Sequence, residues 1–457
     1  MSTVSDLKGP NRPNRVEVKA AVRRAVEGAA DEIIRLARDI YDHPEPGFTE
    51  ERTSRVVAQA LTKAGVNPET QIAITGLKGV RSYDGAGPTV GVLGELDALR
   101  APGHPGADPV SGVAHACGHH SQLGALVGAA IGLGVPEVTA TLSGRVAFMA
   151  TPAEEFIDIG MRWALLETGH LGLLSGKQEM IRLGAFDDVD MAMMVHTSSS
   201  GPQRRFIVGG TSNAHVVHYV RFLGKAAHAG GAPHHGVNAL QAAMLALTAV
   251  NAQRETFEAD DRIRVHGIIT LGGVATNAVP AEVVYEGRVR GRTMQAVEKI
   301  AARVENCYRA GALAIGAELE IVVIPGYLPL ENNPVLARLF SANVASEFGK
   351  DSIVSQAAHT NAGGSTDMGD LSQIMPVLHP YVAAADGTGH GIDYVISDYR
   401  RAVVDSATAL ALTVVDLLSD DAAEARRLIE SHRPAMTRRG YVKSQVDRLR
   451  KIHYRGE

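Results

Sequence analysis

Cysteine is scarce in this chain: Cys117 and Cys307 are the only two among 457 residues. Two thiols cannot build the disulfide framework of a small secreted scaffold, so a reducing compartment is expected and both side chains are left free for other chemistry. There is no excess of positive charge either. Lys and Arg number 45 against 50 Asp and Glu, a formal charge of −5, and no basic stripe is interleaved with aromatics. That balance argues against a nucleic-acid footprint. Long apolar runs are also missing. Leu123 to Val135 is too short to span a bilayer, and its Gly and Ala content suits a buried helix. Met1 to Arg15 is polar and bears prolines, without the apolar core of a signal peptide. A cytoplasmic protein with no membrane or nucleic-acid partner is the expectation.

The composition that remains, 45% hydrophobic and 21% charged, is that of a globular protein. Its length exceeds one core, so about two to three domains are expected. One hexapeptide stands out, His115-Ala116-Cys117-Gly118-His119-His120, which gathers three of the 18 histidines and one of the two cysteines. A thiolate and imidazoles around a single glycine can turn toward one point, and such donors suit Zn²⁺ or a neighbouring first-row metal. The plainer reading is a group of unrelated polar residues ahead of a helix, so the rest of the chain has to decide.

Taken in order, Val18, Ala21, Val22, Val26, Ala29, Ile33, Leu36 and Ile40 recur at helical spacing and predict one amphipathic helix over 16–42, stopped by His43-Pro44-Glu45-Pro46-Gly47. A helix over 50–64 follows. Thr89 to Gly94 reads as a buried parallel strand that opens into Glu95 and Asp97, and open α/β sheets place their sites at such strand ends. By itself Asp97 reads first as a cap or turn residue. The strand Arg145 to Ala150 leads to Glu154-Glu155, where one carboxylate can bind metal while its neighbour handles a proton. A strand over 189–195 ends at His196. From Ser212 the pattern becomes βαββαβ, the split ferredoxin-like arrangement, in one insert over 212–326. Residues 1–211 and 327–457 then form a discontinuous α/β domain, with a mostly parallel sheet and helices on both faces. The charged stretch from Asp420 to Glu457 predicts a surface helix or a pair of them.

Together these motifs resemble one family, the aminoacylase and p-aminobenzoyl-glutamate hydrolase group of co-catalytic metallopeptidases. The resemblance rests on Gly94-Glu95-Leu96-Asp97-Ala98-Leu99, the His-Ala-Cys-Gly-His run, Thr151-Pro152-Ala153-Glu154-Glu155 and His196. It extends through Gly224-Lys225-Ala226-Ala227-His228, Thr276-Asn277-Ala278-Val279-Pro280, Gly364-Ser365-Thr366-Asp367 and His390. It implies a catalytic domain holding one or two Zn²⁺ or Mn²⁺ ions and an inserted lid that pairs two subunits into a homodimer. Carried over residue by residue, Cys117, His119, Glu155, His196 and His390 match metal ligands, and Glu154 matches the general base. Asp97 matches a carboxylate that orients a ligand. His228 matches the lid histidine that reaches a partner's active site, with Asn277 nearby.

Two departures narrow what the resemblance carries. Glu95 stands where dedicated exopeptidases have a metal-binding His, which leaves the metal set to Cys117. His120 replaces the usual Asn or Asp and reads as a hydrogen-bonding group beside the ligands. The segment Phe156 to Gly184, with the lone Trp163, either covers the pocket or forms surface. For a substrate carboxylate the candidates are Arg204, Arg205 and Arg288, with Arg290 and Arg292 on or near the face of Arg288. The expected activity is hydrolysis of a C–N bond in a small N-acyl or aroyl amino acid or dipeptide. Hydrolytic deamination of an aromatic amine such as a nitroanthranilate, on the same site, is the alternative, and a binding protein that has lost catalysis is a second one.

Overall fold

The computed structural model describes residues 13–199, 205–361 and 363–455. The apolar stripe expected on one helix falls on two, Arg15–Gly28 and Ala30–Tyr41, which part at Ala29. Asn14 caps the first, its side chain accepting from the Val16 and Glu17 amides while Glu17 reaches back to the Asn14 amide. Val18, Val22, Val26, Ile33, Ala37 and Ile40 are all fully buried, so the face survives the break.

The central sheet has six strands, in the order Glu69–Ile72, Gly76–Ser82, Arg145–Thr151, Thr89–Glu95, Met191–Met193 and Val377–Leu378. The last four run parallel and the first two form an antiparallel hairpin at one edge. Every residue of Thr89–Glu95 is buried, as a strand covered on both faces requires. Alternate side chains divide between two cores. Val90, Val92, Val146 and Phe148 pack with the helices Arg15–Gly28, Ala30–Tyr41, His119–Gly132 and Ser406–Ser431, whereas Leu93, Ala147 and Met149 pack toward Gly176–Arg182 and Met368–Ser372. Past their C-terminal ends, two central strands continue into a small second sheet ordered Ile353–Asn361, Phe206–Thr211, Tyr381–Ala383 and His196–Ser198.

The insert carries a five-stranded antiparallel sheet, ordered Arg264–Leu271, Glu282–Gly291, Ala214–Leu223, Glu318–Pro325 and Arg450–Tyr454. Helices Ala239–Gln253 and Met294–Ile315 cover one face of it. Its fifth strand comes from the far end of the chain. The stretch expected to be helical surface gives one helix, Arg438–Arg448, and then a strand that pairs with the insert, Leu319 opposite Tyr454 and Val323 opposite Arg450. Ile452 and Tyr454 pack on the insert's core at strand period, between exposed Lys451 and His453. The segment Arg400–Ser431 is long and apolar enough to cross a membrane, but its apolar window is wholly buried in this fold.

Candidate metal centre

The site forms where the parallel strands end. Glu95 closes one strand, Glu154 and Glu155 follow the next, His196 lies just beyond the third, and His379 just beyond the fourth. Gly118 supplies the remaining turn. It precedes the helix His119–Gly132 at φ 88°, a left-handed conformation that glycine adopts without strain. A Cβ there would also meet Thr197 Oγ1 at 2.2 Å. The glycine thus lets Cys117 and His119 face the same point across the strand that bears His196.

Backbone strain marks two donors. Ala153, one residue before Glu154, has φ 53°, and His390 has φ 66°. Non-glycine residues in that region cost free energy and persist where surrounding structure holds them. Buried Glu50 holds the first: its carboxylate accepts the Ala153 amide at 2.8 Å and the Thr75 hydroxyl at 2.6 Å.

Three trios of donor atoms result. Cys117, His119 and His196 bring their donors within 4.8 Å of one another, and so do Cys117, Glu155 and His390. Cys117 Sγ lies 3.4 Å from His196 Nε2, and His390 Nε2 lies 3.2 Å from Glu155 Oε1. The thiol is common to these two, and the third trio joins Glu95, His119 and Glu154. All five ligand candidates read from the sequence therefore converge.

The hydrogen bonds behind these donors set their tautomers. His119 Nδ1 donates to the Asp97 carbonyl oxygen at 2.9 Å, and His196 Nδ1 donates to the Thr197 carbonyl oxygen at 2.8 Å. Each Nε2 is thereby directed toward the other donors. His119 Nε2 and Glu155 Oε1 are buried with no well-aligned hydrogen bond and face other members of the cluster, Glu95 Oε2 at 3.1 Å and His390 Nε2 at 3.2 Å, as atoms that could share a cation would. Asp97 fixes the frame from behind, accepting the Glu155 amide at 2.8 Å and lying 3.3 Å from His119 Nδ1. One sulfur, three imidazoles and a carboxylate in this arrangement fit a divalent cation of borderline softness.

Electrostatics sort the acids. Burial, with Glu95, Glu155 and Asp367 nearby, holds the Glu154 carboxyl well above the usual range. Burial would raise Glu155 too, but His390 and His119 bring it well below. Burial likewise opposes ionisation of Cys117, and His119 and His196 outweigh it, bringing the thiol down to about 6. Adjacent glutamates are driven in opposite directions, which separates a proton carrier from a permanent anion.

Other sequence candidates fall elsewhere. His228 and Asn277 sit side by side on the insert, joined by the Ala229 amide to the Asn277 carbonyl at 2.9 Å. Both are exposed and neither lines the cavity that contains the donors. Arg205 does not reach that cavity. Its guanidinium pairs with Asp405 at 2.9 Å and stacks over Phe348, because the strand it precedes lies in the small second sheet. Arg204 lies outside the described residues. Arg288 and Arg290 do line the cavity. His120 turns away from Cys117, its Nε2 3.2 Å from the Tyr399 hydroxyl, and burial pushes its pKa down to about 3.

The sequence reading missed Lys177. Its ammonium is buried between Glu95 at 2.6 Å and Asp367 at 2.5 Å, from the segment 156–184 that reads as pocket cover or surface. It also missed Tyr327, whose hydroxyl donates to the Glu154 carbonyl oxygen, and Arg162, which binds the carbonyls of Ala153, Leu174 and Glu155. Nothing in the sequence singled Lys177 out, because its helix Gly176–Arg182 also carries Gln178, Glu179 and Arg182.

A mostly parallel sheet with metal donors at its strand ends and an inserted sheet facing them defines a metal-dependent hydrolase of amide C–N bonds. Comparison with known proteins agrees. The M20 peptidase dimerisation domain matches residues 210–314. Xaa-Arg dipeptidase of Mus musculus is 30% identical over 432 residues, which cover 90% of this chain and 91% of that one. One of the subunits of the Escherichia coli p-aminobenzoyl-glutamate hydrolase is 30% identical over 66% of this chain and 60% of its own length. Among solved structures, a dinuclear metal-binding M20 peptidase from Bacillus subtilis superposes with a TM-score of 0.62 at 19% identity, over 86% of this chain and 99% of that one. The chain belongs to the M20 family of metallopeptidases and amidohydrolases.

Proposed function

We propose that this protein hydrolyses the amide bond of a small N-acyl or aroyl amino acid, or of a dipeptide, with a free carboxylate next to the scissile nitrogen. The observation that carries the reading is the pair of donor trios sharing Cys117, with Glu154 beside them on the wall of a cavity of about 880 Å³. Cys117, His119, Glu155, His196 and His390 would hold one or two divalent ions, Zn²⁺ or Mn²⁺. A bound ion supplies Lewis acidity, polarising the carbonyl and lowering the pKa of a water from 15.7 to about 7.

The chain's own groups do the rest. Glu154 takes the proton of the attacking water and later gives it to the leaving nitrogen, and its raised pKa suits a carboxyl that must hold that proton between the two steps. Asp97 keeps His119 and the Glu155 backbone in place. His228, exposed on the insert, acts from a second copy of the chain, where a positioned donor to the oxyanion is worth ~10²–10³ in rate. The dimerisation-domain match over 210–314 supports a homodimer built through the insert.

The test is to load the protein with Zn²⁺ or Mn²⁺ and offer N-acyl amino acids, dipeptides and aryl amines, following amino-acid and ammonia release separately. Amino-acid release is expected. Ammonia from an aryl amine alone would replace this reading with hydrolytic deamination, and no turnover of any of them by the metal-loaded protein would end it.

A further inference from the structure

The insert's sheet is entered at Ala214 and left at Pro325, and the chain returns to it a second time at Arg450. The helix before that return, Arg438–Arg448, is fastened to the donor-bearing domain. Arg438 donates to the Asp187 and Val189 carbonyl oxygens at 2.8 and 2.6 Å, and buried Tyr441 donates to Asp370 at 2.8 Å. Gln445 donates to Asp370 at 3.0 Å and, at 3.2 Å, to the carbonyl oxygen of Gly326, the residue just past the insert's exit. The strand Arg450–Tyr454 is fastened to the insert instead, by its ladder with Glu318–Pro325 and by Arg450, which pairs with Glu305 at 2.9 Å.

One short helix of the donor-bearing domain lies across that sheet. Ile159–Glu167 is about 14 Å long, and the strands Glu282–Gly291 and Arg450–Tyr454, separated by two others, also stand about 14 Å apart. Both ends of the helix are held. Glu286 accepts the Ile159 and Gly160 amides, placing an acid at the helix N-terminus. Lys451 lies 4.6 Å over the Trp163 ring and pairs with Glu167 at 2.9 Å. Between these ends, Val217 and Ile324 of the insert share one buried cluster with Phe156, Ile159 and Trp163. Period two sorts the last strand: Arg450, Ile452 and Tyr454 turn toward the insert's own helices, whereas Leu449 and Lys451 turn toward this one. The apolar contact is buried, but Lys451 and Glu167 are at least half exposed, so this pair can part without unfolding either domain.

We infer that residues 438–454 form a strap that limits how far the insert opens over the donor cavity, and that Lys451, seated on Trp163 and Glu167, is its releasable catch. The strands Arg264–Leu271 and Glu282–Gly291 supply one side of that cavity, and Cys117, Glu155 and His196 belong to the other, so tilting the sheet off the helix widens the mouth. With Lys451 in place, both ends of the helix are tied and the tilt is small. With Lys451 released, the Glu286 end is left as a pivot. The strap does not depend on the amide-hydrolase reading.

The test uses the two cysteines of the full-length, metal-free protein. Cys117 lines the cavity and Cys307 lies in the insert's core, so the rates at which a thiol reagent labels them separate opening of the cavity from unfolding of the insert. Lys451→Glu, which sets two acids side by side, is expected to speed labelling of Cys117 by about 3–30-fold and leave Cys307 unchanged, the range that one exposed ion pair and one exposed cation–π contact supply together. Lys451→Gln, without the repulsion, should give a smaller rise in the same direction. Adding Glu167→Lys to Lys451→Glu reverses the pair and should return much of the protection. Acrylamide quenching of Trp163, the only tryptophan, follows the catch itself. Stronger quenching with the Cys117 rate unchanged would show that Lys451 merely covers Trp163, and would overturn the strap. Equal acceleration of both cysteines in Lys451→Gln would mean that the insert unfolds rather than opens, and would overturn it as well, as would a double variant no better protected than Lys451→Glu.

Discussion

Lys177 Nζ lies 2.6 Å from Glu95 Oε1, and both side chains are shut off from solvent. The same ammonium reaches Asp367 at 2.5 Å, and burial opposed by these two carboxylates leaves its pKa well above the ordinary lysine value. It neutralises Glu95, which ends the strand Thr89–Glu95 and lies 3.1 Å from His119 Nε2. Lys177→Met would strand two buried carboxylates, and a loss of about 3–5 kcal/mol of stability is expected. Urea unfolding measures it, and a loss no larger than that of a surface lysine substitution would show that the group is solvated.

Glu154 is placed as the proton carrier and Glu155 as a ligand. Glu154→Gln should lower kcat by about 10²–10⁴ while elemental analysis finds the metal content unchanged. Loss of metal together with activity would move Glu154 into the ligand set.

Cys117 belongs to two of the three donor trios, whereas His390 belongs to one. Cys117→Ser should therefore deplete the whole centre after dialysis, and His390→Ala only part of it. Full metal occupancy in Cys117→Ser would remove the thiol from the ligands. Equal, complete depletion by both substitutions would argue for a single ion.

Glu50 links the strained turn at Ala153 to pH. Burial and the nearby Asp97 raise its pKa from 4.5 to about 8 in the folded chain. Between those values the folded state keeps a proton that the unfolded state releases, so stability is highest below 4.5 and falls as pH rises toward 8. The slope for one such group is about 1.4 kcal/mol per pH unit. Glu50→Gln, which mimics the protonated form, should flatten this dependence and be the more stable protein at pH 8. Denaturation of the metal-free proteins across that range decides it, and parallel curves would rule out a titrating Glu50.

His228 is exposed and outside its own chain's cavity. If it serves a second copy, His228→Ala and Glu154→Gln should each be nearly inactive alone and should complement when mixed. A heterodimer then has one site with both groups intact, and statistical mixing returns about a quarter of full activity. No recovery on mixing, with subunit exchange verified, would sink the role in trans.

Much of this was legible along the chain. Cys117, His119, Glu154, Glu155 and His196 each stand near the end of a buried strand or the start of a buried helix, and a short unbroken apolar run reveals such elements without coordinates. The insert showed itself by a change of pattern near residue 212. The helix break at Ala29 was not visible, because the apolar stripe runs through it unbroken. The strand Arg450–Tyr454 was hidden by its charge. Edge strands bury only alternate residues, and five residues with two half-buried side chains give too little signal.

The sequence by itself determined the donor types, their order and the elements that carry them, because these depend on local spacing and on each residue's own chemistry. Tertiary structure alone decided that Cys117 is common to two trios, that Lys177 sits between Glu95 and Asp367, that Arg205 is spent on Asp405, and that Arg288 and Arg290 line the cavity. Those are relations between residues up to about 270 positions apart, and only the packing of two sheets against each other sets the distances on which charge and coordination depend.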